Sequence, residues 1–435
     1  MKTAALGMQH VLAMYAGAIL VPLIIGGALG LTTEQLTYLV AIDIFMCGVA
    51  TLLQIVSNRF FGIGLPVVLG CTFTAVGPII AIGGEFGISA IYGSIIASGI
   101  FIILISTIFG KLVRFFPPIV TGSVVTIIGL TLIPVAINNL AGGQGASDFG
   151  SSTNLLLGFG TLTFIILMYR FSKGFVRSIS IIIGLFAGTI VAAVFGKVNF
   201  SAVGEASYFH MPQVFYFGMP TFEISAILTM CLVAMVSLVE STGVYFALGD
   251  ITDRELSEND LAKGYRAEGI AVLLGGIFNA FQYTAFSQNV GLVQLTGVKK
   301  RKVILVAGII LIVFGLVPKI AALTTIIPTA VLGGAMLAMF GMVVSQGIKM
   351  LGKVISESPE NSMIIACSVG MGLGVTVVPD LFSVLPTGIQ ILTNNGIVAG
   401  SVTAIVLNII FNVRPFTSKR SSRAAVQKIA EQKAL

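Results

Sequence analysis

Four carboxylates stand where a carboxylate is costly to keep. Of the 17 Asp and Glu residues in the 435-residue chain, most fall in polar connecting segments, but Asp43, Glu240, Glu268 and Asp380 lie within or at the edges of long apolar runs. A carboxylate in such surroundings can take and release a proton, or it can accept hydrogen bonds from N-H groups of a bound molecule. Glu240 is the strongest candidate for either role. It lies 10 residues before Asp250 and 17 after Glu223, near the middle of its run, and Ser237, Ser241, Thr242 and Gly243 keep its surroundings small and polar. That composition suits the wall of a pocket. Glu268 follows Arg266 at the start of the next run and is either an interfacial ion-pair partner or a proton-handling group. Asp43, between Ile42 and Ile44, is expected to pack against a polar group on a neighbouring helix, and no function is assigned to it. His10, after Gln9, reads as a helix-end histidine bonded to a neighbour rather than as a ligand.

Composition dictates the elements that hold these groups. Hydrophobic residues make up 56% of the chain and charged ones 9%, with a mean hydropathy of +1.04, which no water-soluble core of this length would need. The solvent is lipid. Apolar runs of roughly 17 to 25 residues recur from His10 to Val413, each long enough to cross about 30 Å of hydrocarbon. Segmenting the chain predicts about fourteen spans, beginning near residues 8, 36, 64, 88, 118, 154, 178, 223, 264, 283, 301, 325, 360 and 395. The first span follows Lys2 and runs past Gly27 without a cleavage site, so it is read as uncleaved. The four cysteines, Cys47, Cys71, Cys231 and Cys367, all fall in apolar segments without a CxxC pair. Buried free thiols are expected, and neither a disulfide framework nor a zinc site.

The formal charge of +7 follows from topology. With the N-terminus inside, only Lys197 and Lys319 of the 24 Lys and Arg residues fall on the outer side. The basic tail of Lys419, Arg420, Arg423, Lys428 and Lys433 then lies against the anionic cytoplasmic leaflet, which calls for no nucleic-acid partner. A multi-pass protein of the cell (inner) membrane with both termini cytoplasmic is the expectation.

The two halves share their punctuation. Gly70-Cys71-Thr72-Phe73-Thr74-Ala75-Val76-Gly77 aligns with Thr284-Ala285-Phe286-Ser287-Gln288-Asn289-Val290-Gly291 by the Val-Gly ending, and Pro118 and Pro328 open later spans at similar displacements. Seven spans per half would make the repeats inverted. Both polar stretches are poor helices, and in lipid irregular backbone survives only where protein or an aqueous cavity satisfies it. Their place is the bundle interior near the midplane, where half-helix N-termini offer free N-H groups to an acceptor-rich or anionic ligand.

The run Gln288-Asn289-Val290-Gly291-Leu292-Val293-Gln294-Leu295-Thr296-Gly297 resembles the signature of the nucleobase-ascorbate transporters (nucleobase-cation symporter family 2), and within that family the xanthine and uric acid permease branch. Every fixed position of that motif is met, and Gln9-His10, Glu240 and Glu268 match the family in order along the chain. The resemblance implies an all-α membrane protein with fourteen segments in a 7+7 inverted repeat and short strands in segments 3 and 10. It also implies a division into core (1–110 and 223–323) and gate (111–222 and 324–413), leaving 414–435 as the basic tail. A homodimer working by elevator-like movement of core against gate follows from the same likeness.

Carried over residue by residue, the resemblance has Glu240 accept hydrogen bonds from ring N-H groups while Gln288 makes a two-pronged contact with an amide edge of the ring. Phe73 would cover the ring face, Asn289 would order the motif, and Gly291 belongs to the binding set. Thr72 stands where the family tunes purine choice, and His10 and Thr296 are structural near the site. Glu240 and Glu268 remain the proton-coupling candidates. The uracil branch opens the motif with Glu and places a His one helical turn beyond the binding Glu; here those positions are Gln288 and Val244, which favours xanthine or urate over uracil.

The expected activity is therefore proton-coupled uptake of a purine, xanthine first and urate next, with no cofactor besides the coupling proton and no enzymatic step. A channel would want a continuous polar ring rather than one polar cluster per half. An intramembrane enzyme would need a nucleophile and base or metal ligands, and the only histidines, His10 and His210, fall on opposite sides of the membrane. An anion transporter of the same fold would not keep a buried Glu240 and the full amide motif, since a carboxylate repels anions.

Overall fold

A computed structural model describes residues 2–112, 117–352, 354–386, 390 and 393–412; the basic tail lies outside the described residues. The first half runs α1 (Lys2–Ala28), α2 (Thr33–Ile55), β1 (Leu69–Cys71), a short turn of helix Phe73–Ala75, α3 (Val76–Phe86), α4 (Ile88–Leu112), α5 (Pro118–Leu140), α6 (Ser152–Phe171), α7 (Gly174–Ser178) and α8 (Ser180–Val194). After α9 (Ser201–Glu205), the second half runs α10 (Ile224–Thr252), α11 (Glu258–Ile277), β2 (Tyr283–Ala285), α12 (Ser287–Thr296), α13 (Arg301–Gly315), α14 (Pro318–Thr325), α15 (Thr329–Leu351), α16 (Pro359–Val377) and α17 (Gly396–Asn412). Among the described residues, eight helices are long and apolar enough to cross a membrane alone, or nine if α13 and α14, bent by 78° at their junction, form one span. Near the other expected spans lie the shorter pieces β1 with α3, α8, β2 with α12, and α17, and the 20-residue α11, which is long enough but carries several charged residues.

Helix starts follow capping chemistry where they meet water. Thr32 and Gln35 form a capping box before α2, Ser257 and Asp260 another before α11, and Ser151 and Ser358 cap α6 and α16. At one end of the bundle Lys197 Nζ lies 2.8 Å from Asp148 Oδ2, and its hydrogen bond holds the Asp148 carboxyl below the usual range. Lys319 donates to the Val203 carbonyl at 3.0 Å beside the Tyr208 ring. The aromatic segment between α9 and α10 folds back over the core, where Tyr216 stacks on Tyr38 at 3.8 Å.

The helices pack in two groups, α1–α4 with α10–α14, and α5–α8 with α15–α17. Taking the fourteen expected spans in order, packing partners recur under an offset of seven. Spans 4 and 9 (α4, α11) are matched by spans 11 and 2 (α13, α2), spans 1 and 11 by 8 and 4, and spans 6 and 12 by 13 and 5. Small residues let the matched pairs approach. A Cβ on Gly48 would lie 2.6 Å from the Gly308 carbonyl between α2 and α13, and one on Gly99 would lie 2.5 Å from Leu273 N between α4 and α11.

At the centre of the first group, β1 and β2 pair antiparallel in the register Leu69↔Ala285, Gly70↔Thr284, Cys71↔Tyr283. The residues that open the two aligned polar stretches, Gly70 and Thr284, therefore face each other. Gly70 is required by crowding, because a Cβ there would meet the buried Phe286 ring at 2.5 Å. Gly70→Val is expected to cost ~1–3 kcal/mol or more, since the ring has no room to yield. Maleimide labelling of the buried Cys47 and Cys71 during a thermal ramp reads this directly. An unchanged midpoint would contradict the packing argument. Not all four thiols are buried as expected: Cys231 is half-buried, and Cys367 is exposed on the outer face of α16.

Candidate functional site

Two broken segments meet at the strand crossing. Each strand has its ends tied by the other, with Thr72 N donating to Gln282 O at 2.9 Å and Phe286 N to Val68 O at 3.0 Å. A half-helix then leaves each strand, so the N-termini of the Phe73–Ala75 turn and of α12 both sit at the crossing. Thr72 is buried and its hydroxyl accepts from Thr74 N at 3.2 Å, capping the first. α12 begins at Ser287, and the residue before it, Phe286, offers no side-chain cap, which leaves the first-turn amides of Ser287 and Gln288 as donors for an acceptor-rich group. α10 lies against β2, α12, α3 and the Phe73–Ala75 turn together, and it carries Glu240.

Glu240 is partly exposed and belongs to none of the three ion pairs found among the described residues. Gln288, second residue of α12, is exposed. Phe73 is half-buried and meets the ring of Phe340, from α15, edge-on at 5.5 Å. An aromatic of the second helix group thus closes over an aromatic of the first. Beside α10 an apolar cleft between the groups is lined by Val120, Val124, Val236, Val239, Val398 and Val402.

The rest of the motif supports rather than lines this spot. Asn289 is buried and its Nδ2 donates to the His10 carbonyl at 3.0 Å and lies 3.1 Å from His10 Nδ1, fixing α12 to α1. Thr296 closes α12, its hydroxyl donating to Leu292 O at 2.8 Å. Gly291 is exposed, and a Cβ there would meet nothing.

Glu268 corrects the interfacial reading. It is buried and accepts from the Tyr245 hydroxyl, while Arg266 points elsewhere, to Phe60 O at 2.8 Å and Ser106 Oγ at 3.2 Å. Residues two apart on a helix diverge by about 200°, so sequence proximity to Arg266 made no ion pair. Gln54 Nε2 donates in turn to the Tyr245 oxygen at 2.8 Å, which leaves the phenol hydrogen for Glu268. Asp43 is buried as well, 3.5 Å from the Tyr283 hydroxyl of β2. Asp380 lies exposed in the short helical turn Pro379–Phe382. Among the described residues no three His, Cys, Asp or Glu side chains are placed to hold a metal ion.

Sequence reasoning passed over Tyr245, Thr284, Gln54 and Phe340. Ser237, Ser241 and Tyr245 stand at i, i+4 and i+8, a polar stripe that marks the inward face of α10 and would have flagged the tyrosine.

A family model described as a permease family matches residues 1–381. The chain belongs to the nucleobase-ascorbate transporter family. It is 68% identical over 432 residues to the xanthine permease of Bacillus subtilis (strain 168), covering 99% of this chain and 98% of that protein. It is 66% identical over 409 residues to the uric acid permease PucK of the same organism, covering 94% and 95%. Among solved structures, the transmembrane domain of a cyanobacterium bicarbonate transporter, BicA, superposes with a TM-score of 0.65 at 17% identity, covering 88% of this chain and 97% of that one. The fold is thus shared with transporters of other solutes, and the substrate must be argued from the site.

Proposed function

We propose that this chain carries an oxidised purine, xanthine in the first place, into the cell together with a proton. The observation that carries the reading is the placement of Glu240 on α10, alongside both half-helix starts. A carboxylate only accepts hydrogen bonds, whereas the Gln288 carboxamide donates and accepts, so together they suit a ring bearing N-H and lactam groups. Phe73 would supply the stacking face. Urate is the second reading, favoured by the nearly equal likeness to a uric acid permease.

In this proposal fourteen segments cross the cell (inner) membrane with both termini cytoplasmic. The core (1–110 and 223–323) slides as an elevator against the gate (111–222 and 324–413), in a homodimer. The Phe73–Phe340 contact would open as purine enters. A neutral purine with one proton carries one charge, and about 2.3 kcal/mol per 100 mV would support roughly 50-fold accumulation.

The test is uptake of labelled xanthine into energised vesicles, competed by urate, guanine, hypoxanthine and uracil. Urate is expected to compete best and uracil least, and an uncoupler should abolish accumulation. Uptake that ignores the uncoupler, or yields first to uracil, would sink the proposal.

A further inference from the structure

Glu268 is held by one oxygen only. Its Oε1 accepts from the Tyr245 hydroxyl, while Oε2 is buried and has no hydrogen-bond partner among the described residues. Behind the tyrosine stands the buried Gln54 of α2, whose Nε2 donates to the Tyr245 oxygen at 2.8 Å and to the Gly264 carbonyl of α11 at 2.9 Å. Gln54 Oε1 accepts from Ile63 N at 3.2 Å, and its main-chain oxygen accepts from Gly64 N at 2.9 Å. Tyr245 is buried as well. The other titratable groups near Glu268 are Tyr265 of α11, its hydroxyl 2.5 Å from Thr242 Oγ1, and Glu240 of α10.

These partners fix the direction of each hydrogen bond. A main-chain N-H only donates and a main-chain carbonyl only accepts, so Ile63 and Gly264 together set which end of the Gln54 amide is oxygen and which is nitrogen. The amide N-H then points at the phenol oxygen, and the phenol hydrogen is left to Glu268 Oε1. A hydrogen on Oε1 would confront the phenol hydrogen and leave it unpaired, deep in the protein where an unmade bond is costly. Oε1 is therefore an acceptor whether the carboxyl is ionised or neutral, and a proton on Glu268 sits on Oε2.

We propose that Tyr245, oriented by Gln54, is the positioning residue for the coupling proton, which boards and leaves Glu268 at Oε2 alone. This rests on the proton-coupled reading of the site, with Glu268 as the carrier. Loading adds H+ to Oε2 of the carboxylate, and unloading removes it from the same oxygen. Oε1 stays on the phenol throughout, so the side chain need not turn between one load and the next. The phenol also eases unloading, because a hydrogen bond to an ionised acceptor is roughly twice as strong as one to a neutral acceptor. Without it, the carboxylate left behind by the departing proton would have no donor on Oε1.

The experiment compares the unmodified protein with Tyr245→Phe in proteoliposomes, measuring net xanthine uptake with its internal acidification and, separately, exchange of labelled for unlabelled xanthine at equal concentrations. Exchange needs no proton released, whereas net uptake does. The ratio of net uptake to exchange is expected to fall about tenfold in Tyr245→Phe, the difference between a charged and a neutral hydrogen bond. A ratio that stays at the unmodified value, with both rates kept or both lowered together, would overturn the positioning role. Infrared difference spectra between low and high pH give a second readout, with the Glu268 band identified by its absence in Glu268→Gln. Its protonated-carboxyl C=O stretch should move to higher wavenumber in Tyr245→Phe, because the C=O at Oε1 loses its donor. Should Tyr245→Phe not be recovered from the membrane, 3-fluorotyrosine placed at position 245, a stronger donor of nearly the same size, should move that band to lower wavenumber. A band that stays in place would overturn the positioning role while leaving the proton-coupled reading intact. An unmodified protein that moves xanthine without acidification would overturn both.

Discussion

Glu240→Gln is expected to abolish purine accumulation while leaving the protein in the membrane and at least as resistant to heat. The two halves of that result have separate causes. In the proposed complex the carboxylate accepts ring N-H groups, and a hydrogen bond to a charged acceptor contributes about 1.5–3 kcal/mol. An amide at the same place turns its NH2 toward those donors or offers them one weak acceptor. Losing two such bonds costs at least about 3 kcal/mol, or more than about 100-fold in apparent affinity. Stability moves the other way, because Glu240 is in none of the described ion pairs and removing a lone carboxylate from a membrane-embedded helix removes an insertion cost. Uptake of labelled xanthine and the melting midpoint of the purified variant check both halves. Transport above about a tenth of the unmodified level would refute the site assignment. A protein that fails to reach the membrane would instead mean that Glu240 holds the fold.

Much of this architecture was legible because lipid leaves few options. Most of the predicted starts fall in or beside a helix, since in hydrocarbon a run of apolar residues can satisfy its backbone only internally, but residue 64 precedes β1 by five residues and residue 325 is the last of α14. The internal alignment by Val-Gly reached further than expected, as Gly70 and Thr284 are paired in the strand register. The strands themselves could not be read from local pattern. Three residues are too few for a period of two to declare itself, and Leu69-Gly70-Cys71 has little β propensity.

Contacts across the chain were harder. Tyr245 and Glu268 are 23 residues apart on neighbouring helices, and only their shared burial pairs them. Phe340 carries no sequence signal at all: it is one apolar side chain among many on α15, and its importance comes from what stands opposite. The same physical reason links these omissions. In a membrane bundle the apolar pattern fixes where helices are, but polar contacts choose how each is rotated, and single polar residues leave no period.

Gln288→Glu is expected to reduce xanthine uptake by about 10- to 100-fold, the combined cost of a missing donor and an added charge repulsion. Fold stability should not suffer. The side chain is exposed at the second residue of α12, where no side chain caps the helix, and a negative charge at a helix start is favourable by about 0.3–1 kcal/mol. The loss arises because a carboxylate cannot donate to a purine carbonyl, and it adds a second negative charge to the Glu240 site. Two further effects follow from this cause. Residual xanthine uptake should rise as pH falls, because protonating the introduced carboxyl restores one donor and one acceptor, the chemistry of the amide. Uracil should not become a substrate, because the family's uracil branch also has a His one turn beyond the binding Glu, and here that position is the buried Val244. Uptake of both bases from pH 5 to pH 8, in Gln288→Glu and in Gln288→Glu combined with Val244→His, separates these effects. If Gln288→Glu alone transports xanthine as well as the unmodified protein across that range, Gln288 is not a ligand. Glu240 and the free amides of α12 would then have to account for the recognition alone.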